Sequence, residues 1–320
     1  MSIKVDYDSH RHHHRSRIDT KVESITDMAL DGKRDLAGKH FAFFGGTAGI
    51  GQAAAEVLAG RGANIAVVGR SKEAGDATVQ TLQSKGAASA IFIQGDLATA
   101  KGASDTAAKV QQWSGILDGI VHSAMSAFSG KEITSDGLEF AFALQYEARV
   151  IIDALLLDNL AASRDGRIVH IAGAVPASMM PDLDDLQFEK SKFSFWKAIL
   201  GTHNLGFMFI QEARQKWGNR PISITAVCVG STKTKAMADP KMPFLMRVMG
   251  YFGTTPDISA RNVVNIMTAT TIPQADRFGI MWDPKKTKIT EPAFPKDKAE
   301  KLWKTTKNIA EQRGVTLTAF

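Results

Sequence analysis

The chain has 320 residues, 44% apolar and 22% charged, with a net charge of +6. These proportions supply a sizeable core and argue against a largely disordered chain. A single cysteine, Cys228, excludes an internal disulfide and suits a reducing compartment.

No apolar run reaches the roughly 18 residues that a membrane-spanning helix needs. The first residues are polar and charged and carry no leader pattern. We therefore expect a cytoplasmic protein with no membrane span. The basic excess is mild, and neither a basic run nor a nucleic-acid motif accompanies it, so no nucleic-acid partner is expected.

Residues 1–20 interleave His10, His12, His13 and His14 with Arg11, Arg15 and Arg17. Such a tract buries no apolar face and reads as a disordered tail. A short helix is expected from Lys21 to about Leu30. From His40 the pattern changes. HFAFFGG reads as a buried strand ending in a tight turn, and QAAAEVLAGRG as a helix closed by glycine. NIAVVGRS, AIFIQGDL, GILDGIVHSA, GRIVHIAGA and SITAVCVG read as five further strands with helical stretches between them. Alternation of this kind predicts an α/β fold: a Rossmann-type, doubly wound parallel sheet with helices on both faces. With no internal repeat and no linker, residues 21–320 are expected to form a single domain with a C-terminal helical extension.

Phe44-Gly45-Gly46-Thr47-Ala48-Gly49-Ile50-Gly51 lies between the first strand and the first helix. Glycines there allow the turn and let backbone approach a pyrophosphate, and the helix N-terminus offers free N–H groups. The second strand ends at Val68-Gly69-Arg70. A carboxylate at that point would bond the ribose hydroxyls of NAD, whereas arginine pairs with a 2′-phosphate. The cofactor expected is NADP(H).

These elements together resemble the short-chain dehydrogenase/reductase superfamily, in its retinol-dehydrogenase-like and fungal reductase branch, from about Leu36 to Arg313. GGTAGIG matches the family's glycine motif, and Gly95-Asp96-Leu97 matches its adenine-side aspartate motif. SDGLEFAFALQYEARVIIDALL matches the long helix that normally carries an asparagine. LDDLQFEKSKFSFWKA matches the loop before the catalytic helix, YFGTTPDISARNVV the segment after the sixth strand, and AEKLWKTTKNIAEQ the C-terminal helix. The resemblance implies cofactor contacts at Gly45, Thr47, Gly49, Ile50, Arg70, Asp96, Leu97, His122, Ala124, His203 and Gly230. It also implies four catalytic side chains: asparagine, serine, tyrosine and lysine.

At those four positions the chain departs from the family. The alignment puts Gln145 at the asparagine, Gly173 at the serine, Ile199 at the tyrosine and His203 at the lysine. The tyrosines are Tyr7, Tyr146 and Tyr251, and none has a lysine four residues on. A lost general acid costs about 10²–10⁴ in rate, and a lost oxyanion donor a comparable factor.

The catalytic candidates that remain are His203, Gln145 and His122. His203 is open to ribose contact, acid/base work or packing, and His122 to a place in the cofactor wall. His170 reads as a satisfied core residue. Arg149 could meet an anionic substrate, and Asp182, Asp184 and Asp185 read as solvated loop carboxylates unless one reaches the substrate. No metal-ligand spacing appears. Residues 236–252 are rich in methionine and suit a bulky apolar substrate.

Three functions stay open. One is an oxidoreductase with atypical catalysis, acting on a bulky apolar or activated (iminium- or enone-type) small molecule. The second is a non-redox cyclase, isomerase or lyase on the same scaffold. The third is a catalytically inactive NADP(H)-sensing protein. The sequence leaves a homo-oligomer open.

Overall fold

In the computed structural model, residues 35–126 and 128–320 are described. The His/Arg-rich tail, the expected helix from Lys21 and Tyr7 lie outside them.

Seven strands form one sheet in the order β3-β2-β1-β4-β5-β6-β7. They are β1 (His40–Phe44), β2 (Asn64–Gly69), β3 (Ser89–Gln94), β4 (Gly119–His122), β5 (Gly166–Ala172), β6 (Ile222–Cys228) and β7 (Phe278–Met281). Every neighbouring pair is parallel. The chain leaves β1 in one direction to build β2 and β3, then returns to build β4 to β7 on the other side. This reversal opens a crevice at the carboxyl ends of β1 and β4, where ligands of such sheets bind.

Alternation along β1 shows how the sheet is buried on both faces. Ala42 and Phe44 enter one core layer, with Leu117, Phe142, Ile151 and Phe209. Phe41 and Phe43 enter the other, with Ala54, Leu58 and Val263. Both faces of a parallel sheet must be covered, so its strands read as near-continuous apolar runs.

One layer contains α1 (Gly49–Ala59), α2 (Lys72–Lys85) and α9 (Pro256–Thr268). The other contains α3 (Ala100–Trp113), α4, α6 (Phe195–Trp217) and α10 (Lys296–Gln312). Helix α4 runs in three pieces: Phe140–Phe142, a π-helical turn at Ala143–Glu147, and Ala148–Leu155. The short α5 (Leu157–Ala162) leads into β5. Two short helices, α7 (Lys235–Ala238) and α8 (Phe244–Tyr251), follow β6. No helix among the described residues is long and apolar enough to cross a membrane.

Candidate active site

A cavity of about 450 Å³ lies along the carboxyl ends of the central strands, reaching from the β1–α1 turn to α8. Its first wall is backbone. Gly45 has φ +95°, and a side chain there would land on the backbone of Ala124. A Cβ at Gly51 would stand 2.8 Å from the Gly45 carbonyl oxygen. These glycines keep the turn folded against the loop after β4. Helix α1 begins after Ala48, which supplies no side-chain cap. Its first N–H groups are therefore left for another partner, and Ala48, Gly49 and Ile50 line the cavity. A diphosphate fits such a cradle by charge and by clearance. Beyond it, exposed Arg70 stands at the end of β2, and Asp96 and Leu97 follow β3 along the same wall. Asp96 Oδ1 accepts the Ala98 N–H at 3.0 Å, which fixes the turn.

The far half of the cavity is apolar. Helix α6 starts at Ser194, whose Oγ accepts the Lys197 N–H. Ile199 and His203 lie one turn apart on that helix, and both line the cavity. Gly173, just past β5, faces them. Its N–H donates to His203 Nδ1 at 3.0 Å. Nδ1 is thus the acceptor, so the ring proton sits on Nε2. That Nε2 is buried and has no partner among the described residues. Burial, with the nearby Arg149 charge, pushes the His203 pKa down to about 3, so the ring is a neutral hydrogen-bond donor at any physiological pH. Phe140, Leu144, Met237, Met242, Met246 and Met249 complete this end.

A family model for short chain dehydrogenase matches residues 39–183. Human retinol dehydrogenase 13 is 24% identical over 297 residues, covering 87% of this chain and 86% of the relative. The chloroplastic short-chain dehydrogenase TIC 32 A of Brassica napus is 31% identical over 134 residues, covering 40% of this chain and 42% of the relative. Among solved structures, an uncharacterized protein from Mycobacterium paratuberculosis superposes with a TM-score of 0.66 at 17% identity, covering 92% of this chain and 98% of the other. A 3-oxoacyl (acyl-carrier-protein) reductase from Agrobacterium tumefaciens, with NADP bound, gives 0.59 at 20%, covering 76% and 92%. Over residues 39–183 the chain matches the short-chain dehydrogenase family. Its members bind nicotinamide cofactors and are oxidoreductases.

Of the expected cofactor residues, the cavity gathers Gly45, Thr47, Gly49, Ile50, Arg70, Asp96, Leu97, Ala124, His203 and Gly230. His122 is not among them. It is the last residue of β4, and strand alternation sends its ring into the α4 layer. There it stacks on Phe44, and its Nε2 lies 2.8 Å from Asp153 Oδ1. His170, its register partner on β5, bonds Asp153 Oδ2 at 2.8 Å. Burial pushes the His122 pKa down to about 4 despite the carboxylate. The three groups form a buried clamp between β4, β5 and α4, and their polar atoms lie within 4.8 Å of one another. The place of His122 in the cofactor wall, and with it any catalytic role, is therefore corrected to a structural one.

Gln145 sits in the π turn of α4 and does not line the cavity; its Nε2 donates to the Ser126 carbonyl at 3.0 Å. Arg149 is buried, with Nη1 donating to the Ile171 carbonyl at 2.9 Å and Nη2 to Ala124 at 3.4 Å. It braces the ends of β4 and β5 rather than meeting a substrate. Asp185 accepts the N–H groups of Glu189, Lys190 and Ser191, and Asp184 pairs with Lys301. Neither lines the cavity, nor does Asp182. Tyr146 is buried against Thr306 at 2.7 Å. Sequence reasoning missed Ser123, Ser231, Thr232, Thr234 and Lys235, all of which line the cavity. The polar run after β6 was the available signal for the last four.

Proposed function

We propose that this protein is an NADP(H)-dependent oxidoreductase with atypical catalysis, acting on a bulky apolar or already activated small molecule. The observation that carries this reading is the contrast between the two ends of one cavity. One end joins a glycine turn, an uncapped helix N-terminus and Arg70. The other presents Ile199, Gly173 and a neutral His203 where the family's tyrosine, serine and lysine align.

Bound NADPH would supply hydride. The chain's own residues would then do the following. The Gly45–Ile50 turn holds the diphosphate, Arg70 pairs with the 2′-phosphate, and the proton on His203 Nε2 bonds a ribose hydroxyl or substrate oxygen. Isoleucine has no proton to give, and His203 cannot supply a cation to acidify a neighbour. Hydride transfer needs only an aligned electrophile, so an iminium or conjugated enone suits this site better than a neutral ketone. The methionine-lined end adapts to an irregular apolar skeleton.

The test is an assay of the purified protein with NADPH against simple aldehydes, ketones and quinones. NADPH binding with negligible turnover is expected. Rapid, steady reduction of simple ketones would overturn the reading. Product formed from a substrate with no net cofactor oxidation would replace it with a non-redox enzyme.

A further inference from the structure

We infer that the outer face of α8 docks this protein on an anionic lipid surface, beside the apolar mouth of its cavity. The helix is amphipathic. Its inner side gives Met246 to a buried cluster with Met242, Phe195 and Ile199. The Ser231 hydroxyl donates to the Met249 carbonyl at 2.6 Å, and Thr232 bridges to Thr254. The helix is thus tied to the scaffold. Its outward residues are not a core left unfilled: Phe244 is 77% exposed, Leu245 57%, Tyr251 75% and Phe252 80%. Apolar side chains this large and this clustered on a soluble surface mark an interaction site.

Charge selects the partner. From Val229 to Pro256 the chain carries Lys233, Lys235, Lys241 and Arg247 against a single carboxylate, Asp239, and all four cations are exposed. The adjoining segment before α6, whose Phe193 packs on the same buried cluster, adds exposed Lys190 and Lys192 beside exposed Glu189, and the first turn of α6 adds exposed Lys197. Aromatic residues rimmed by lysine and arginine fit the boundary between acyl chains and anionic headgroups. A second copy fits less well, because a two-fold pairing of this face would set Arg247 and Lys241 against their own counterparts. Met249 is both exposed and part of the cavity lining, so docking would turn the cavity mouth toward the lipid. Such docking is independent of the reaction in the cavity.

The full chain should be sedimented with vesicles of phosphatidylcholine alone and with vesicles of phosphatidylcholine and phosphatidylserine. Binding to the mixed vesicles should be at least about tenfold stronger and should weaken in high salt. Phe244→Ser, Tyr251→Ser and Phe252→Ser together should abolish it, and Lys241→Glu with Arg247→Glu should weaken it at least about tenfold. NADPH affinity, which reports folding, should be unchanged in both variants. The inference is overturned if neither vesicle binds, if both variants bind like the parent (the histidine- and arginine-rich tail then being responsible), or if the parent is a dimer that the serine variant dissociates.

Discussion

Arg70 is exposed at the rim of the cavity, and its guanidinium is the one feature that separates NADPH from NADH in the proposed reading. Arg70→Ala should weaken NADPH binding by roughly tenfold or more and leave NADH nearly unchanged. Fluorescence titration of both cofactors decides it, and equal affinities in the parent protein would contradict the choice of NADP(H). Gly173 carries a second prediction. A Cβ there would come within 3.3 Å of His203 Nδ1, so the imidazole already fills the space a serine would use. Gly173→Ser alone should displace the ring and lower the melting temperature without restoring carbonyl reduction. Ile199→Tyr alone should also do little, because a tyrosine without a nearby cation keeps a pKa near 10. Replacing Gly173, Ile199 and His203 together by Ser, Tyr and Lys removes the crowding ring and offers the best prospect of ketone turnover. These residues were legible in the sequence because each lies at a fixed offset from a strand end or on a helix face. The neutrality of His203 was not, since it depends on burial and on the nearby Arg149 charge.

The clamp of His122, Asp153 and His170 belongs to the scale of elements. It exists because β4 and β5 pair with His122 opposite His170 and because both rings fall on the face covered by α4. Asp153→Ala should orphan two buried ring donors and cost about 2–5 kcal/mol in stability, read by denaturant unfolding. Asp153→Asn, which keeps one acceptor, should cost less, and equal losses would argue that packing, not hydrogen bonding, holds the three together. The strand pattern itself was plain in the sequence, and strand parity would have placed His122 in the core. The family resemblance instead put it in the cofactor wall, at the carboxyl end of that strand. The π turn that seats Gln145 on the Ser126 carbonyl had no local signal, since no proline or glycine interrupts Ala143–Glu147.

For the whole molecule, the six expected strands all form, and β7 is the one that patterning did not single out. Its four residues, Phe278–Met281, are too short to alternate visibly and are recognised by pairing with β6. Whole-chain stability should depend on pH in a definite direction. His122 and His203 hold folded pKa values of about 4 and about 3, below the 6.5 of an unfolded histidine. Below pH 6.5 the unfolded chain therefore takes up protons that the folded chain refuses, and stability falls progressively from there toward pH 3–4. Melting temperatures measured across this range should fall, and His203→Gln should reduce the slope; an unchanged slope would show that His203 does not contribute.

The most direct test of the proposed chemistry is steady-state NADPH oxidation with a matched pair of substrates: a cyclic iminium and the neutral ketone of the same skeleton. With isoleucine and glycine where the family's tyrosine and serine align, the iminium should turn over and the ketone should be slower by about 10² or more. Equal rates would contradict the proposal, because they would require a proton donor that Gly173, Ile199 and a neutral His203 do not provide.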